Sequence, residues 1–168
     1  AYRQALALRP DYPEALSNLG SALRAQGRLE DAEAELRRAI ALRPKYANAL
    51  ANLGLVLQEK AHWREALGAY DRALAADPGH SAAHGNRGML LLLLGRMEEG
   101  FGEYEWRWRM PGFATPGRTF AQPVWDGEGR PGETVFIHAE QGLGSAIQFV
   151  RYLALAAARG VRVILECQ

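Results

Sequence analysis

Through the first two-thirds of the chain the apolar positions recur with the period of an amphipathic helix, and the helices themselves recur at a longer spacing. Leu16, Leu19 and Leu23 share one face of a first predicted helix, and Leu29, Ala32, Leu36, Ala39 and Ile40 share one face of a second. Pro10, Pro44 and Pro78 then repeat every 34 residues, as do Ala5, Ala39 and Ala73, the glycines 20, 54 and 88, and the large residues Tyr2, Leu36, Tyr70 and Tyr104. A repeat of this kind predicts stacked helix pairs, each unable to bury its faces except against its neighbours. Gly20 and Ala32 are small where two helices must approach closely. Gly27 falls where a left-handed residue ends the first helix, a conformation that glycine adopts without steric penalty.

The units read as the end of a preceding repeat at 1–12, repeats at 13–46 and 47–80, and a divergent third with a junction helix at 81–110. The third departs from its siblings by carrying Arg87 where they have Leu19 and Leu53, and Gly100 where they have Ala32 and Ala66. Its second helix is expected over Met97–Arg109. The pattern changes at Pro111. A Gly/Pro-rich connector occupies 111–133, with turn signals at Pro111-Gly112, Pro116-Gly117 and Pro131-Gly132. Beyond it lie a β-prone run, Thr134 to Ala139, a helical spacing from Leu143 to Arg159, and a second β-prone run, Val161 to Leu165. This predicts a β-loop-α-β unit with parallel strands at 134–168, too small to be stable alone because both sheet edges stay open. It must lean on the repeats, on further sequence or on another copy of the chain.

The spacing and the stretches Ala15-Leu16-Ser17-Asn18-Leu19-Gly20 and Ala49-Leu50-Ala51-Asn52-Leu53-Gly54 resemble the tetratricopeptide repeat. The fold class that follows is mainly α, a solenoid of helical hairpins followed by the start of a Rossmann-like α/β domain. A second resemblance rests on Glu103-Tyr104-Glu105-Trp106-Arg107-Trp108-Arg109, Trp125-Asp126-Gly127, His138 to Gly144 and Gln148-Phe149-Val150-Arg151-Tyr152. These look like the bacterial tetratricopeptide proteins with a C-terminal glycosyltransferase-like domain, similar to heptosyltransferases and more distantly to O-linked N-acetylglucosamine transferases. That likeness implies a nucleotide sugar as cofactor of a longer parent, with this chain as its N-terminal part; no cofactor is expected of the 168 residues themselves.

Composition narrows the function classes. Twenty Lys+Arg against nineteen Asp+Glu leave +1, which argues against a nucleic-acid binder, since phosphate neutralisation needs a basic surplus. The longest apolar run, Met89 to Leu94, is far short of the roughly 20 residues that span a bilayer. One cysteine, Cys167, permits neither an internal disulfide nor a cysteine zinc cage, so a cytoplasmic setting without metal is expected.

Two sets of candidate site residues follow. Asn18, Asn52 and Asn86 recur at the repeat period beside the face that lines the inner groove of such a solenoid, where an amide can both donate to and accept from a peptide backbone. They serve either as a ladder for an extended peptide or as bonds to the adjacent helix. Around them stand Glu14, Ser17, Ser21 and Arg24, then Asn48, Ala51, Leu55 and Gln58, then Ala82, Gly85, Met89, Leu92 and Leu93. The second set is the loop Glu140 to Ser145, whose Gly142 and Gly144 let backbone amides approach a phosphate. It reads equally as a tight turn without a ligand. The second resemblance implies an aspartate as general base after Gly144; here the residue is Ser145, which cannot take a proton at neutral pH without a base beside it. Glu140 and His138 are the substitutes available. The two function classes are thus a protein- or peptide-binding module and part of a glycosyltransferase not competent by itself.

Overall fold

The computed structural model describes residues 2–109, 121–130, 132–138, 147 and 150–166. Two compact units divide at Ala114/Thr115.

The described residues of the first unit form the helices α1 (Tyr2–Leu8), α2 (Pro13–Ala25), α3 (Leu29–Leu42), α4 (Ala47–Glu59), α5 (Trp63–Ala76), α6 (Ser81–Leu93) and α7 (Met97–Tyr104). They pair as α2 with α3, α4 with α5 and α6 with α7, and each pair packs on the next. Burial follows the sequence pattern: Leu16, Ala32, Leu36, Leu50, Val56, Ala66, Tyr70, Ala73 and Leu90 are fully buried in one continuous core. Transfer of such side chains from water, at about 1.5–3 kcal/mol for each large one, is what holds an array whose parts are individually too short to be stable.

The turn inside each pair is made by a residue in the left-handed region: Gly27 at φ +72°, Ala61 at φ +59° and Gly95 at φ +78°. Ala61 is the one non-glycine residue with positive φ among those described. Between pairs, Arg9 lies over the Tyr12 ring and Arg43 over the Tyr46 ring, at 5.3 and 4.9 Å from the centroids. The third junction replaces this stack with His80, whose Nδ1 accepts from the Ala83 amide at 3.1 Å and caps α6.

The repeat glycines are packing residues. A Cβ on Gly20 would lie 2.6 Å from Leu36 Cγ, and one on Gly54 would enter the Tyr70 ring. At Gly88 the obstruction is backbone, with Tyr104 N at 2.7 Å and Gly100 O at 3.0 Å. Gly100 in turn abuts Leu92, so glycine in place of Ala32 and Ala66 brings α6 and α7 into closer contact than their counterparts.

The junction helix expected over Met97–Arg109 is shorter than that. The α-helix ends at Tyr104 and the chain tightens into a 3-10 helix over Glu105–Arg109. Here the Tyr104 carbonyl accepts from Arg107 Nη1 at 3.2 Å, a side chain competing for a carbonyl that α-helical continuation would use.

In the second unit β1 (Thr134–His138) and β2 (Arg162–Glu166) pair in parallel, with Thr134 opposite Arg162 and His138 opposite Glu166. Parallel pairing is as expected from the sequence. The helix expected over Leu143–Arg159 is described only in part: Val150–Tyr152 is a 3-10 turn and α8 (Leu153–Ala158) follows. The Trp125-Asp126-Gly127 segment packs on the end of α8. Arg159 donates to the Gly127 carbonyl, and a Cβ on Gly129 would run into the Arg159 backbone. Trp125 is half-buried rather than fully anchored, its indole N–H donating to the Glu128 carbonyl at 2.8 Å.

Candidate functional site

The first helices of successive pairs, α2, α4 and α6, are neighbours, so equivalent residues on them form rows across one face. One such row is Asn18, Asn52 and Asn86. Asn18 is exposed; Asn52 and Asn86 are half-buried. Asn52 Nδ2 reaches Ser17 Oγ at 3.4 Å, a long bond that ties α4 to α2. That contact belongs to the second of the two roles open from sequence, a bond to the adjacent helix, and it leaves the amide oxygen uncommitted among the described residues.

The structure corrects the surroundings of this row. Ser17, at 1% exposure, Ala51 and Gly85 are buried rather than on the open face, because small side chains at these places let adjacent first helices close on each other. Arg24 and Gln58, half-buried, each make a bond within the chain. Arg24 Nη1 pairs with Glu59 at 2.5 Å, linking the ends of α2 and α4. Gln58 Oε1 accepts from the buried Tyr70 hydroxyl at 3.0 Å, and burial holds that phenol well above its ordinary range. Asn48 Oδ1 meets His80 Nε2 at 2.7 Å; since Nδ1 of the same ring accepts from Ala83, Nε2 is the donor. What remains open on the face is the amide row together with Ser21, Leu55, Met89 and Leu93, of which Met89 is 52% and Leu93 65% exposed.

Several polar clusters had no reading from sequence. Arg87, half-buried at a place where Leu19 and Leu53 stand in the siblings, pairs with Asp71 at 2.7 Å and Glu103 at 2.9 Å. Glu103 also bonds His84 Nδ1, while His84 Nε2 meets the Pro78 carbonyl at 3.0 Å and its ring stacks on Trp106, centroids 3.9 Å apart. Trp106 thus lies between two partners, with His84 stacked on its ring and the Arg109 guanidinium 4.3 Å from its centroid. Lys60, at the end of α4, joins Glu33 of α3 at 2.9 Å. Burial pushes the Glu33 carboxyl up, but its bonds to Lys60 and Arg37 outweigh this and hold it below its ordinary value. The Glu33 bond in turn raises Lys60. A cation in a position held by Leu in sibling repeats, with a carboxylate one pair away, is the signal that would have found the Arg87 cluster.

The second candidate set is placed only at its margin. His138 closes β1, half-buried, with its ring 6.1 Å from that of Phe136. Glu140, Gly142, Gly144 and Ser145 lie outside the described residues, as does Cys167. Among the described residues no group of three or more His, Cys, Asp or Glu able to hold a metal occurs, and no helix there is long and apolar enough to cross a membrane.

Comparison with known proteins bears on the first unit. Three family models match, two described as "Tetratricopeptide repeat" over residues 1–34 and 51–108, and one as "TPR repeat" over 20–60. Among solved structures, that of MamA protein is 28% identical, with a TM-score of 0.56, and the match covers 64% of this chain and 59% of MamA. The structure of YrrB, described as a TPR protein with an unusual peptide-binding site, is 21% identical over 66% of this chain and 57% of YrrB, with a TM-score of 0.60. The second TPR of Spaghetti (RPAP3), bound to the HSP90 peptide SRMEEVD, is 23% identical over 56% of this chain and 87% of its own, at 0.54. The last two likenesses establish the fold alone, and the match spans less than two thirds of MamA and of YrrB. No curated protein matches the chain in sequence.

Proposed function

We propose that this chain, a tetratricopeptide repeat protein over residues 1–108, is a binding module that recruits a protein or peptide segment on the face shared by α2, α4 and α6. The observation that carries the reading is the in-register row Asn18, Asn52, Asn86, beside which exposed Met89 and Leu93 leave apolar surface uncovered. An amide row of this kind offers both a donor and an acceptor at each step, matching the alternation of N–H and C=O along an extended backbone. The peptide-binding site named for YrrB and the peptide bound to the RPAP3 repeat are in keeping with this use of the fold.

The test is replacement of the three asparagines by alanine together. Each lost hydrogen bond should weaken binding by about 0.5–1.5 kcal/mol, read by calorimetry on a selected peptide, with helicity unchanged by circular dichroism. Unaltered affinity would assign the row to helix–helix bonding and end the ladder.

The finer identity, a bacterial protein whose second unit opens a glycosyltransferase-like domain, rests on the motifs between residues 103 and 152. The parallel β1–β2 pair is in keeping with it. A nucleotide sugar belongs to that reading of a longer parent. The present residues would contribute at most the backbone amides around Gly142 and Gly144, with Ser145 at the place of the expected base.

A further inference from the structure

We infer that the segment recruited on the α2–α4–α6 face is an extended peptide that seats large aliphatic side chains on Met89 and Leu93 and brings no acidic group to that site. This rests on the binding reading above and narrows its ligand.

Shape and apolarity come first. One turn beyond the asparagine row, equivalent positions read Ser21, Leu55 and Met89; one turn further they read Ala25, Glu59 and Leu93. Apolar bulk therefore accumulates toward α6. Met89 and Leu93 are four residues apart and so adjoin on one side of α6, at 52% and 65% exposure. Their neighbours Leu90 and Leu91 are at 0%. The core side of α6 is thus already filled, and the exposed pair is surplus to folding. Asn86 stands three residues before Met89 on the same side, so a backbone amide held by Asn86 would direct its adjoining side chain onto the pair. A helical ligand would have its own backbone groups satisfied and would leave the amide row unused, which is why the occupant is extended.

Charge decides the polarity of the ligand. The arginines of α2 and α6 and of the turn before α4 are paired within the chain: Arg24 with Glu59 through Nη1, its unpartnered Nε being buried out of a ligand's reach, Arg43 with Glu14, and Arg87 with both Asp71 and Glu103. An incoming carboxylate would have to displace one of these partners and would face the displaced acid, a like-charge arrangement that costs affinity. Aliphatic groups meet no such competition.

The experiment pans a short random-peptide display library against the whole chain and measures each enriched peptide by fluorescence anisotropy. It is measured on the natural protein, on the double variant Met89→Gln/Leu93→Gln, and on the triple asparagine variant. Because both apolar residues are exposed, the double variant should keep its helicity. The expected result is a consensus rich in Leu, Ile and Met, with affinity falling at least about tenfold in the double variant. A consensus rich in Asp and Glu, or affinity unmoved by the double variant, would overturn this inference while leaving peptide binding intact. Failure to enrich any peptide would overturn both. A change in the elution volume of the unliganded double variant would show that a second copy covers the patch, and would likewise overturn the inference.

Discussion

Gly88→Ala and Gly68→Ala are the same chemical change in two helix interiors, and the packing around them predicts opposite signs. Both sit within helices of more than ten residues, α6 and α5, where alanine is favoured over glycine by about 1 kcal/mol. At Gly68 nothing lies within 4 Å of the added methyl, so the gain is realised and stability should rise by about 0.5–1 kcal/mol. At Gly88 the methyl would stand 2.7 Å from Tyr104 N, 3.0 Å from Gly100 O and 3.1 Å from Glu103 C. All three are main-chain atoms of α7, so relief cannot come from a rotamer change. The helix itself must retreat by roughly half an ångström or more, loosening the Leu92–Gly100 contact and the His84–Glu103 and Arg87–Glu103 bonds. Overpacking of this kind costs about 1–3 kcal/mol in a core that can adjust and more where backbone is the obstacle, so a net loss of about 2–3 kcal/mol is expected after the propensity gain. Gly20→Ala should fall between the two, since its nearest neighbour is the Leu36 side chain. Urea unfolding of the full chain, followed by far-ultraviolet circular dichroism, ranks the three variants by midpoint. A Gly88→Ala protein as stable as the parent, or a Gly68→Ala protein less stable, would refute the claim that these glycines are set by helix–helix distance.

Two further outcomes concern stability. Ala61 holds φ +59° where its counterparts are Gly27 and Gly95, a conformation costing an L-residue about 1–2 kcal/mol, so Ala61→Gly should raise the stability by about 0.5–1 kcal/mol after the added unfolded-state entropy, and the urea midpoint with it. A lowered midpoint in the same urea titration would contradict this. Glu33 is held below its ordinary 4.5 in the folded state, so its contribution is present above the unfolded value and is lost as pH falls through the lower folded one. Glu33→Gln should therefore destabilise the chain at pH 7 by an amount that shrinks progressively as pH is taken below the ordinary 4.5, whereas a midpoint difference that stays constant through that titration would deny the linkage.

The sequence by itself determined the helical array, because a 34-residue period repeats small, large and proline positions together and a unit of this length can bury its faces only in a stack. It also determined that β1 and β2 run parallel, through two apolar runs separated by a helical spacing. Periodicity speaks to faces, however, and not to partners across a face. Only tertiary structure decided that Arg24 and Gln58 answer to Glu59 and Tyr70, that Ser17 lies under the neighbouring helix, and that Arg87 replaces a leucine because Asp71 and Glu103 converge on it. Those pairings depend on how close α2 stands to α4 and α6 to α7, distances that follow from the whole packed array and from the glycines that permit it. The end of α7 at Tyr104 was hidden for the same reason: the competing donor, Arg107, reaches a carbonyl that local propensity assigns to the helix.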